Sequence, residues 1–396
     1  MTEQNKKLTI AMIGAGYAAR LHGDAFRKVY GADIRLKLII DPDMERASAL
    51  QQTYGYEVAL PNFEAALLDD EINVIDICTP PVCHKDMIAQ SLKAGKHVIC
   101  EKPLLGYFGM EGDETPVGKT VPKSKMYRQV LKDMEELRLI LKESGKIFCY
   151  AENYVYAAAI QRAAEVIGKK KSKIFMKGEE SLKGSQARAA GEWKDIGGGA
   201  LIRAGVHPLS GLLMLKQVEA HARGEVIGIA SVVADVGVAT QCLNEHEHRH
   251  IAARPNDVED YASLSVTFTD GTKAQVNTSD LLLGGTRGFV EVYCNDNVLY
   301  CKVSPVDVVK SYFLDEENLD DVEISEMLPS KLGWNHPFVV DETIRGFLGE
   351  LQDFTDCITV GREPLGNFDL ACQTMKVVYA AYLSAEEGRR VDFNEI

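Results

Sequence analysis

The first forty residues constrain the fold of this chain more than any other stretch. Residues 8–13 form a short apolar run that is typical of a strand buried on both faces of a sheet. Gly-Ala-Gly-Tyr-Ala-Ala follows at residues 14–19, and a helical pattern continues to about residue 28. A second apolar run, residues 34–40, leads to Asp41. This succession of strand, glycine-rich turn, helix, strand and acidic residue predicts a βαβ unit that binds a dinucleotide.

Each position of the glycine-rich turn has a physical task in such a unit. Gly14 permits the tight turn, and Gly16 lets a pyrophosphate approach the backbone. Ala19 allows the helix to pack closely on the sheet. The helix begins near Tyr17 and Ala18, so its first amides and the positive end of its dipole would face the phosphates.

Asp41 predicts which dinucleotide binds. A carboxylate at the end of the second strand can accept hydrogen bonds from both ribose hydroxyls and repels a 2′-phosphate, so we expect NAD rather than NADP. An alternative interpretation is that Asp41 caps a helix, because Asp41-Pro42-Asp43 precedes a helical pattern at residues 44–54.

Composition excludes several classes of protein. At 396 residues the chain is long enough for two domains, and its 46% hydrophobic and 26% charged residues are those of a soluble globular protein. The formal net charge of −14 argues against a general nucleic-acid-binding surface, and no apolar run approaches the ~20 residues of a membrane span. Nine scattered cysteines indicate reduced thiols. We expect a cytoplasmic protein without a signal peptide and without nucleic-acid or membrane partners.

The order of predicted elements divides the chain in two. Strand and helix patterns alternate as far as residue 151, which predicts a doubly wound parallel sheet whose ligands bind at the carboxyl ends of its strands. Asp41, Thr79 and Lys102 all fall at such ends. The second half has six strand patterns with few helices between them, which indicates a large open, mostly antiparallel sheet. Two helical patterns, at residues 200–216 and 341–360, interrupt the strands. The predicted fold class is α/β, with a Rossmann domain at residues 1–155 and a second α/β domain at residues 156–396.

Three motifs together resemble the glucose-fructose oxidoreductase/inositol dehydrogenase (Gfo/Idh/MocA) family. They are the turn at residues 14–19, Glu101-Lys102-Pro103, and Gly-Gly-Gly-Ala-Leu-Ile-Arg-Ala-Gly-Val-His-Pro at residues 197–208. The resemblance extends over nearly the whole chain. It implies an oxidoreductase with a Rossmann domain and an open-sheet domain that often supports dimers or tetramers, and its usual substrates are sugars and cyclitols.

The resemblance also implies that Lys102 and His207 are the catalytic pair, with His207 as acid/base. The residue types suit this chemistry, because the protein must manage the hydroxyl proton while the cofactor takes the hydride. A lysine amine can hold the carbinol oxygen and stabilise alkoxide character, and the unperturbed histidine pKa of ~6.5 suits reversible proton transfer. A solvated lysine at a sheet edge and a structural histidine are the alternatives.

Further residues are assigned by their positions. Thr79, Pro80 and His84 match the family's loop along the cofactor, and Glu101 precedes the catalytic lysine at the same site. Asn153 falls where the two predicted domains meet, and we expect it to face the substrate. A capped turn is an equally good explanation of Asn153.

Two departures from the family pattern concern this site. Arg203 stands where an aspartate is common, four residues before His207 and therefore on the same helical face. We expect Arg203 to bind an anionic or oxygen-rich part of the substrate; the structural alternative is a pair with Glu192 or Asp195. The second departure is a loop rich in Gly and Pro at residues 105–122, which either covers the substrate or reaches a neighbouring subunit.

A histidine-rich stretch is the one candidate metal site in the sequence. His246, His248 and His250 alternate, and on a strand all three would share one face, a spacing compatible with a metal ion. Their neighbours are polar, so a solvated loop is the preferred interpretation and we expect no metal.

The sequence as a whole predicts an NAD-dependent oxidoreductase that acts on a secondary alcohol of a sugar, glycoside or cyclitol, as a homo-oligomer. Two alternatives stay open: a redox-assisted glycosidase or lyase that reduces NAD only transiently, and a cofactor-sensing regulator that has lost turnover. Arg203 is the feature that favours the regulator, whereas the presence of both Lys102 and His207 argues against it.

Overall fold

Two large sheets organise the part of the chain that the computed structural model describes, which is residues 7–304, 311–313, 330, 332–335 and 341–393. The N-terminal sheet has six parallel strands in the order β3-β2-β1-β4-β5-β6. These strands are β1 (Lys7–Ile13), β2 (Asp33–Ile40), β3 (Val58–Leu60), β4 (Val74–Ile77), β5 (His97–Glu101) and β6 (Phe148–Ala151). The predicted doubly wound parallel sheet is therefore confirmed, and its order reverses between β1 and β4, where such sheets bind ligands.

Helices alternate with these strands, and the central strands β1 and β4 are buried almost throughout, although β4 carries the buried Asp76. The helices are α1 (Tyr17–Phe26), α2 (Met44–Tyr54), α3 (Glu64–Leu68), α4 (His84–Lys93), α5 (Val117–Thr120) and α6 (Lys123–Ser144). The ends of the helices follow local chemistry. Asp43 caps α2 by accepting hydrogen bonds from the backbone N–H groups of Glu45 and Arg46, and Gly145 ends α6 in the left-handed conformation with φ +62°.

The second sheet has seven strands in the order β12-β11-β7-β10-β9-β8-β15. Its strands are β7 (Ile174–Ser181), β8 (Ile229–Gly237), β9 (Tyr261–Phe268), β10 (Lys273–Ser279), β11 (Arg287–Cys294), β12 (Val298–Lys302) and β15 (Val391–Asp392); β13 (Ser311–Phe313) and β14 (Gly333–Asn335) form a separate pair. Only the pairing of β7 with β10 is parallel among the pairings of the seven strands described. The prediction of a mostly antiparallel sheet is confirmed.

Eight helices are described after β6. They are α7 (Asn153–Tyr156), α8 (Ala158–Lys170), α9 (Trp193–Ile196), α10 (Val206–Arg223), α11 (Glu245–His248), α12 (Asp341–Arg345), α13 (Phe347–Val360) and α14 (Phe368–Glu387). The helix α14 lies between α6 and β8, and α13 packs on α1 and β1. The helices α13 and α14 thus pack on both sheets. The predicted boundary between two domains at residue 155 stays a prediction. No helix in the described ranges is long and apolar enough to cross a bilayer.

Three helical regions differ between the sequence-based prediction and the structure. The helix α8 was not predicted from the sequence. The predicted helix at residues 341–360 is interrupted at Gly346, which has φ +100° and approaches the carbonyl oxygen of Asn153 so closely that a Cβ would lie 2.3 Å from it. The predicted helix at residues 200–216 begins with a π-helical turn, Leu201–Gly205, and continues as α10 to Arg223.

The loop at residues 105–122 is packed against the second half of the chain. The backbone N–H of Tyr107 donates to the hydroxyl of Tyr379 at 2.6 Å, and the indole N–H of Trp193 donates to the carbonyl oxygen of Tyr107 at 2.9 Å. The N–H of Gly118 donates to a carboxylate oxygen of Asp257 at 2.9 Å. These contacts anchor the two ends of the segment, whose middle at residues 109–115 is largely exposed, and the cleft described below is lined by no residue of it.

Candidate active site

A groove of about 700 Å³ opens at the carboxyl ends of β1, β2 and β4. It contains five of the residues predicted to bind the dinucleotide. Its lining includes Gly14, Gly16, Asp41, Thr79, Pro80, Cys78, Arg46, Phe63, Cys83 and Met87. The position agrees with the switch point of the sheet, where a dinucleotide is expected.

The two glycines of the turn are needed for different reasons. Gly14 has φ +96°, and a Cβ there would lie 2.5 Å from the carbonyl oxygen of Cys78, so only glycine fits between β1 and β4. A Cβ at Gly16 would meet no protein atom within 4 Å, because this residue faces the open groove at the start of α1. Gly16 therefore leaves the space in which a pyrophosphate can reach the first amides of the helix.

The carboxylate of Asp41 is buried at the edge of this groove. One oxygen accepts from the N–H of Ala15 and the other from the N–H of Asp43, each at 2.8 Å. Asp43, and not Asp41, is the N-cap of α2, so the alternative interpretation of Asp41 as a helix cap is wrong. Arg46 lies 3.7 Å from Asp41, and its guanidinium also donates to Asp43 at 2.8 Å. A carboxylate oxygen has two lone pairs, which leaves Asp41 able to accept from a ribose as well.

Two residues that were predicted to bind the cofactor, His84 and Ala19, do not line the groove. His84 is fully buried, and its ring nitrogens lie 2.8 Å from the carbonyl oxygen of Pro103 and 3.0 Å from that of Thr79. Both ring nitrogens face protein atoms, and the ring donates its single N–H to one of the two carbonyl oxygens. Burial lowers the pKa of His84, which keeps the ring neutral. Ala19 is buried in the contact of α1 with the sheet, as its small size requires.

A second cleft, of about 370 Å³, adjoins the groove. Cys78 and Thr79 line both spaces, so the two are continuous. The cleft brings together predicted residues from distant parts of the chain, namely Tyr17, Ala18, Glu101, Lys102, Asn153 and His207. Residues that were not predicted complete it, and these include Tyr154, Glu180, Thr286, Ser304, Arg345 and Phe347.

Lys102 is held by hydrogen bonds from its amine and from its backbone N–H. Its amine donates to the carbonyl oxygen of Arg203 at 2.6 Å, and its backbone N–H donates to a carboxylate oxygen of Glu101 at 3.0 Å. Arg203 lies in the π-helical turn Leu201–Gly205, and such turns recur at functional sites. The lysine therefore reaches the cleft as an anchored amine and not as a solvated side chain at a sheet edge.

His207 receives a carboxylate partner that was not predicted. Its Nδ1 lies 2.7 Å from Oε1 of Glu152, which directly follows β6 and is fully buried. Because a carboxylate only accepts, the proton is assigned to Nδ1, and Nε2 keeps its lone pair. The ring stacks on Tyr154 with a centroid distance of 5.4 Å and an interplanar angle of 24°. The carboxylate beside His207 thus comes from Glu152, which follows a strand of the N-terminal sheet, and not from an aspartate at position 203.

Arg203 does not line the cleft. Its guanidinium pairs with the buried carboxylate of Asp280, which follows β10, and neither Glu192 nor Asp195 is its partner. The widened turn before α10 directs the side chain toward the second sheet, so the expectation of a shared helical face with His207 does not hold. The geometry favours a structural role for Arg203, with a different partner from those predicted. It also removes the feature that favoured a regulator without turnover.

Asn153 lines the cleft and is itself fixed. Its side-chain amide donates to the carbonyl oxygen of Arg345 at 2.9 Å, and it is the first residue of the short helix α7, for which Glu152 is the cap. A signal for Glu152 was present in the sequence, because this residue follows a buried strand at the same sheet edge as Asp41, Thr79 and Lys102. Glu180, Ser304 and Arg345 had no such signal, since only the pairing of distant segments brings them to the cleft.

The histidine-rich stretch has a different structure from that of a metal-binding strand. Glu245–His248 is a short helix with a capping box formed by Asn244 and Glu247, so the three histidines do not share the face of a strand. Nε2 of His248 lies 2.8 Å from the carbonyl oxygen of Ala253.

Comparison with known proteins agrees with this architecture. Residues 8–108 match the family described as an oxidoreductase family with an NAD-binding Rossmann fold. A D-apiose dehydrogenase of Paraburkholderia graminis is 23% identical over 398 residues, which cover 99% of this chain and 91% of that protein. Two solved structures resemble the whole chain. GenD2 from gentamicin A biosynthesis, in complex with NAD, has 21% identity, a TM-score of 0.77 and coverage of 98% of this chain and 97% of its own. The myo-inositol 2-dehydrogenase from Lactobacillus plantarum has 18% identity, a TM-score of 0.70 and coverage of 98% and 99%.

The fold and the matches define the class of this protein: it is an oxidoreductase of the dehydrogenase type with an NAD-binding Rossmann fold. The assignment to the Gfo/Idh/MocA family of oxidoreductases, indicated by the three motifs, is thereby confirmed.

Proposed function

We propose that the protein transfers a hydride between NAD and a secondary alcohol of a sugar, glycoside or cyclitol. The observation that carries this proposal is the convergence of Lys102 and His207 on one cleft that continues into the dinucleotide groove. NAD, when bound, supplies the hydride acceptor, and the turn at Gly14 and Gly16 together with Asp41, Thr79 and Pro80 would hold it.

Lys102 is proposed to hold the carbinol oxygen. Its amine already donates one hydrogen bond to the carbonyl oxygen of Arg203. An ammonium group has three donors, so two stay available for a ligand. A cation fixed in this way stabilises negative charge that develops on the oxygen as the C–H bond breaks.

His207 is proposed to remove the hydroxyl proton through Nε2. Glu152 accepts the Nδ1 proton, which fixes the tautomer and the orientation of the ring. The same carboxylate stabilises the imidazolium that forms after proton transfer, because the two charges are opposite and Glu152 is shielded from water. We therefore propose Glu152 as part of the proton path.

The lining of the cleft supports a polyhydroxylated substrate. Glu180 offers a carboxylate, Asn153 an amide oxygen, and Thr286 and Ser304 hydroxyl groups at its wall. These groups can exchange hydrogen bonds with several hydroxyls of one ring. The full-length similarity to a D-apiose dehydrogenase, and the likeness in fold to a myo-inositol 2-dehydrogenase, are consistent with such a substrate.

The test is a screen of sugars, glycosides, uronates and cyclitols with NAD and with NADP, read as absorbance of the reduced cofactor. On the best substrate, Lys102→Met and His207→Asn should each lower turnover by roughly 10²–10⁴ and leave NAD affinity nearly unchanged. Release of an aglycone without net NADH would support the redox-assisted glycosidase or lyase. Binding of NAD without turnover of any compound would support the regulator.

The organisation of the protein in solution belongs to the same proposal. We infer a Rossmann domain at residues 1–155, a substrate-binding domain at residues 156–396, and a cytoplasmic homo-oligomer. Light scattering coupled to size exclusion measures the oligomer, and a monomer at micromolar concentration would contradict this part.

A further inference from the structure

His22 is a fully buried histidine that the proposed chemistry does not use. It lies on α1, next to the glycine-rich turn, and its side chain has no exposed surface. Nδ1 lies 2.9 and 3.0 Å from the two carboxylate oxygens of Asp76 on β4. Nε2 lies 3.4 Å from Oε1 of Glu101, the last residue of β5, as a charge contact without hydrogen-bond geometry. The imidazole therefore stands between two carboxylates at the switch point of the sheet.

This position requires a particular protonation state. A neutral imidazole has one N–H and one lone pair, so one of its nitrogens would direct a lone pair at a carboxylate. The imidazolium has a donor for each neighbour. Burial, the largest effect, lowers the pKa of His22, but the charge and hydrogen bonding of Asp76, together with the contact of Cys78, outweigh it, and the pKa is raised well above its usual value.

Burial favours the uncharged forms of the other titratable groups around His22. It raises the pKa values of Cys78, which follows β4, of Tyr56, which precedes β3, and of Glu350 on α13. Burial also raises the pKa of Cys100 on β5. The carboxyl groups nearest to the imidazole are those of Asp76 and Glu101, with Lys102 one residue further along the chain.

Glu101 transmits the effect of His22 to the active site. Burial disfavours its ionised form, but the contact with His22 and the charges of His22, Lys102 and His207 together lower its pKa. Its Oε2 accepts the backbone N–H of Lys102 at 3.0 Å, and the residue itself lines the cleft. Acidic and basic side chains therefore alternate from Asp76 through His22 and Glu101 to Lys102.

We propose that His22 is a positioning residue of the active site: as a buried imidazolium anchored by Asp76, it holds Glu101 as an ionised, fixed carboxylate and so sets the backbone of Lys102. The role in turnover rests on the proposed function. The protonation state does not, because it is a property of the protein without substrate.

The first experiment measures the charge of His22 without any substrate. Nitrogen NMR of the imidazole rings in the ligand-free protein, between pH 6 and pH 8.5, should show both nitrogens of His22 protonated. His97 is an internal reference for a neutral ring, because burial and then the charge of Lys146 lower its pKa to about 4. His22→Gln and His97→Gln identify the two sets of signals. An unprotonated Nε2 at pH 7 would overturn the proposal, whatever the enzyme is found to oxidise.

The second experiment measures the pH dependence of kcat/KM on the substrate found in the screen. In His22→Gln the Glu101 carboxyl loses the neighbouring cation, so the pKa of Glu101 rises. The acidic limb of the pH profile of kcat/KM should then move to higher pH by about one unit. Asp76→Asn, which keeps the imidazole but removes its anchor, should move the limb in the same direction and serves if His22→Gln does not fold.

The matched control is His97→Gln, which removes a partly buried imidazole at the opposite end of β5. It should leave the acidic limb in place. A limb that does not move in either His22→Gln or Asp76→Asn, with both variants folded, would show that His22 is structural only. A screen that finds no substrate would defeat the proposed function, while the NMR result would still decide the charge of His22.

Discussion

Lys102 follows a strand of the N-terminal sheet and His207 lies on α10, and each is held by a group from the other part of the chain. The amine of Lys102, which follows β5, donates to the carbonyl oxygen of Arg203 before α10. His207, on α10, contacts the carboxylate of Glu152 that follows β6. This exchange makes the distance between the two side chains depend on the packing of the sheets, so single-residue changes at the anchors should affect catalysis.

Glu152→Gln tests the anchor of His207. The amide keeps the shape of the side chain but loses the charge that stabilises an imidazolium, so turnover should fall by roughly 10²-fold or more while NAD affinity stays unchanged. Steady-state kinetics on the screened substrate measures this. Glu180→Gln is the matched control, since it neutralises another carboxylate of the cleft and should raise KM more than it lowers kcat. A Glu152→Gln enzyme with near-normal kcat would remove Glu152 from the proton path.

Asp41 is the residue on which cofactor selectivity depends. A buried carboxylate facing a 2′-phosphate should favour NAD over NADP by about 1–3 kcal/mol, and Asp41→Ala should narrow that gap. Titrations followed by cofactor fluorescence measure both affinities. Asp43→Ala is the control, because it removes the helix cap and about 1 kcal/mol of stability without removing the carboxylate at the ribose. Equal affinity of the wild-type protein for NADP would contradict the prediction.

At the scale of elements, the π-helical turn Leu201–Gly205 has its own buried support. The carboxylate of Glu259 accepts the backbone N–H groups of Gly199 and Leu201 at 2.8 and 2.9 Å, and the hydroxyl of Tyr382 at 2.9 Å. Burial raises the pKa of Glu259 to about 7, against this hydrogen bonding. The start of the helix that carries His207 therefore depends on a group that titrates near neutral pH.

The raised pKa of Glu259 predicts a pH dependence of stability. Between its usual value of 4.5 and about 7, the unfolded chain loses the proton and the folded protein keeps it, so the folded state binds more protons. Its contribution is present below pH 4.5 and is lost as the pH rises through 7, by about 3 kcal/mol. Urea unfolding at pH 5 and pH 8 should show this loss in the wild-type protein and not in Glu259→Gln, after subtraction of the shared pH dependence. Parallel curves for the two proteins would contradict it.

At the scale of the whole molecule, the pair of Arg203 with Asp280 ties the helix of the active site to β10 of the second sheet. Arg203→Met or Asp280→Asn alone leaves one buried charge without its partner and should cost about 3–5 kcal/mol of unfolding free energy. The double variant should cost less than the sum, because neither charge is left unpaired. Chemical unfolding measures all three. Additive losses would show that the pair does not couple.

The same variants decide the role of Arg203 in binding. A structural role predicts that Arg203→Lys, which keeps the charge, retains more stability than Arg203→Ala, and that neither distinguishes a charged substrate from its uncharged analogue. A loss of catalytic efficiency that is larger for the charged compound, and larger than the loss of stability, would restore the substrate contact expected from the sequence.

Local patterns allowed much of the fold to be predicted. The apolar strands of the first sheet, the turn at Gly14 and Gly16, and the helix Lys123–Ser144 all follow from short-range rules of burial, φ angle and capping. The helix α8 was missed, and the break at Gly346 was not anticipated, since that glycine is required by a backbone from a distant segment. Elements that tertiary contacts define are not visible in local periodicity.

The sequence by itself determined the class of sheet, the dinucleotide groove and the positions of Lys102 and His207 at strand and helix ends, because these depend on residues close in the chain. Only the tertiary structure decided what each of them touches. Glu152 reaches His207 across 55 positions of sequence, Asp280 reaches Arg203 across 77, and Asp76 reaches His22 across 54. Such partners are chosen by the packing of sheets and helices, where a buried charge must find an opposite charge or a hydrogen-bond partner, and no local spacing records which one it finds.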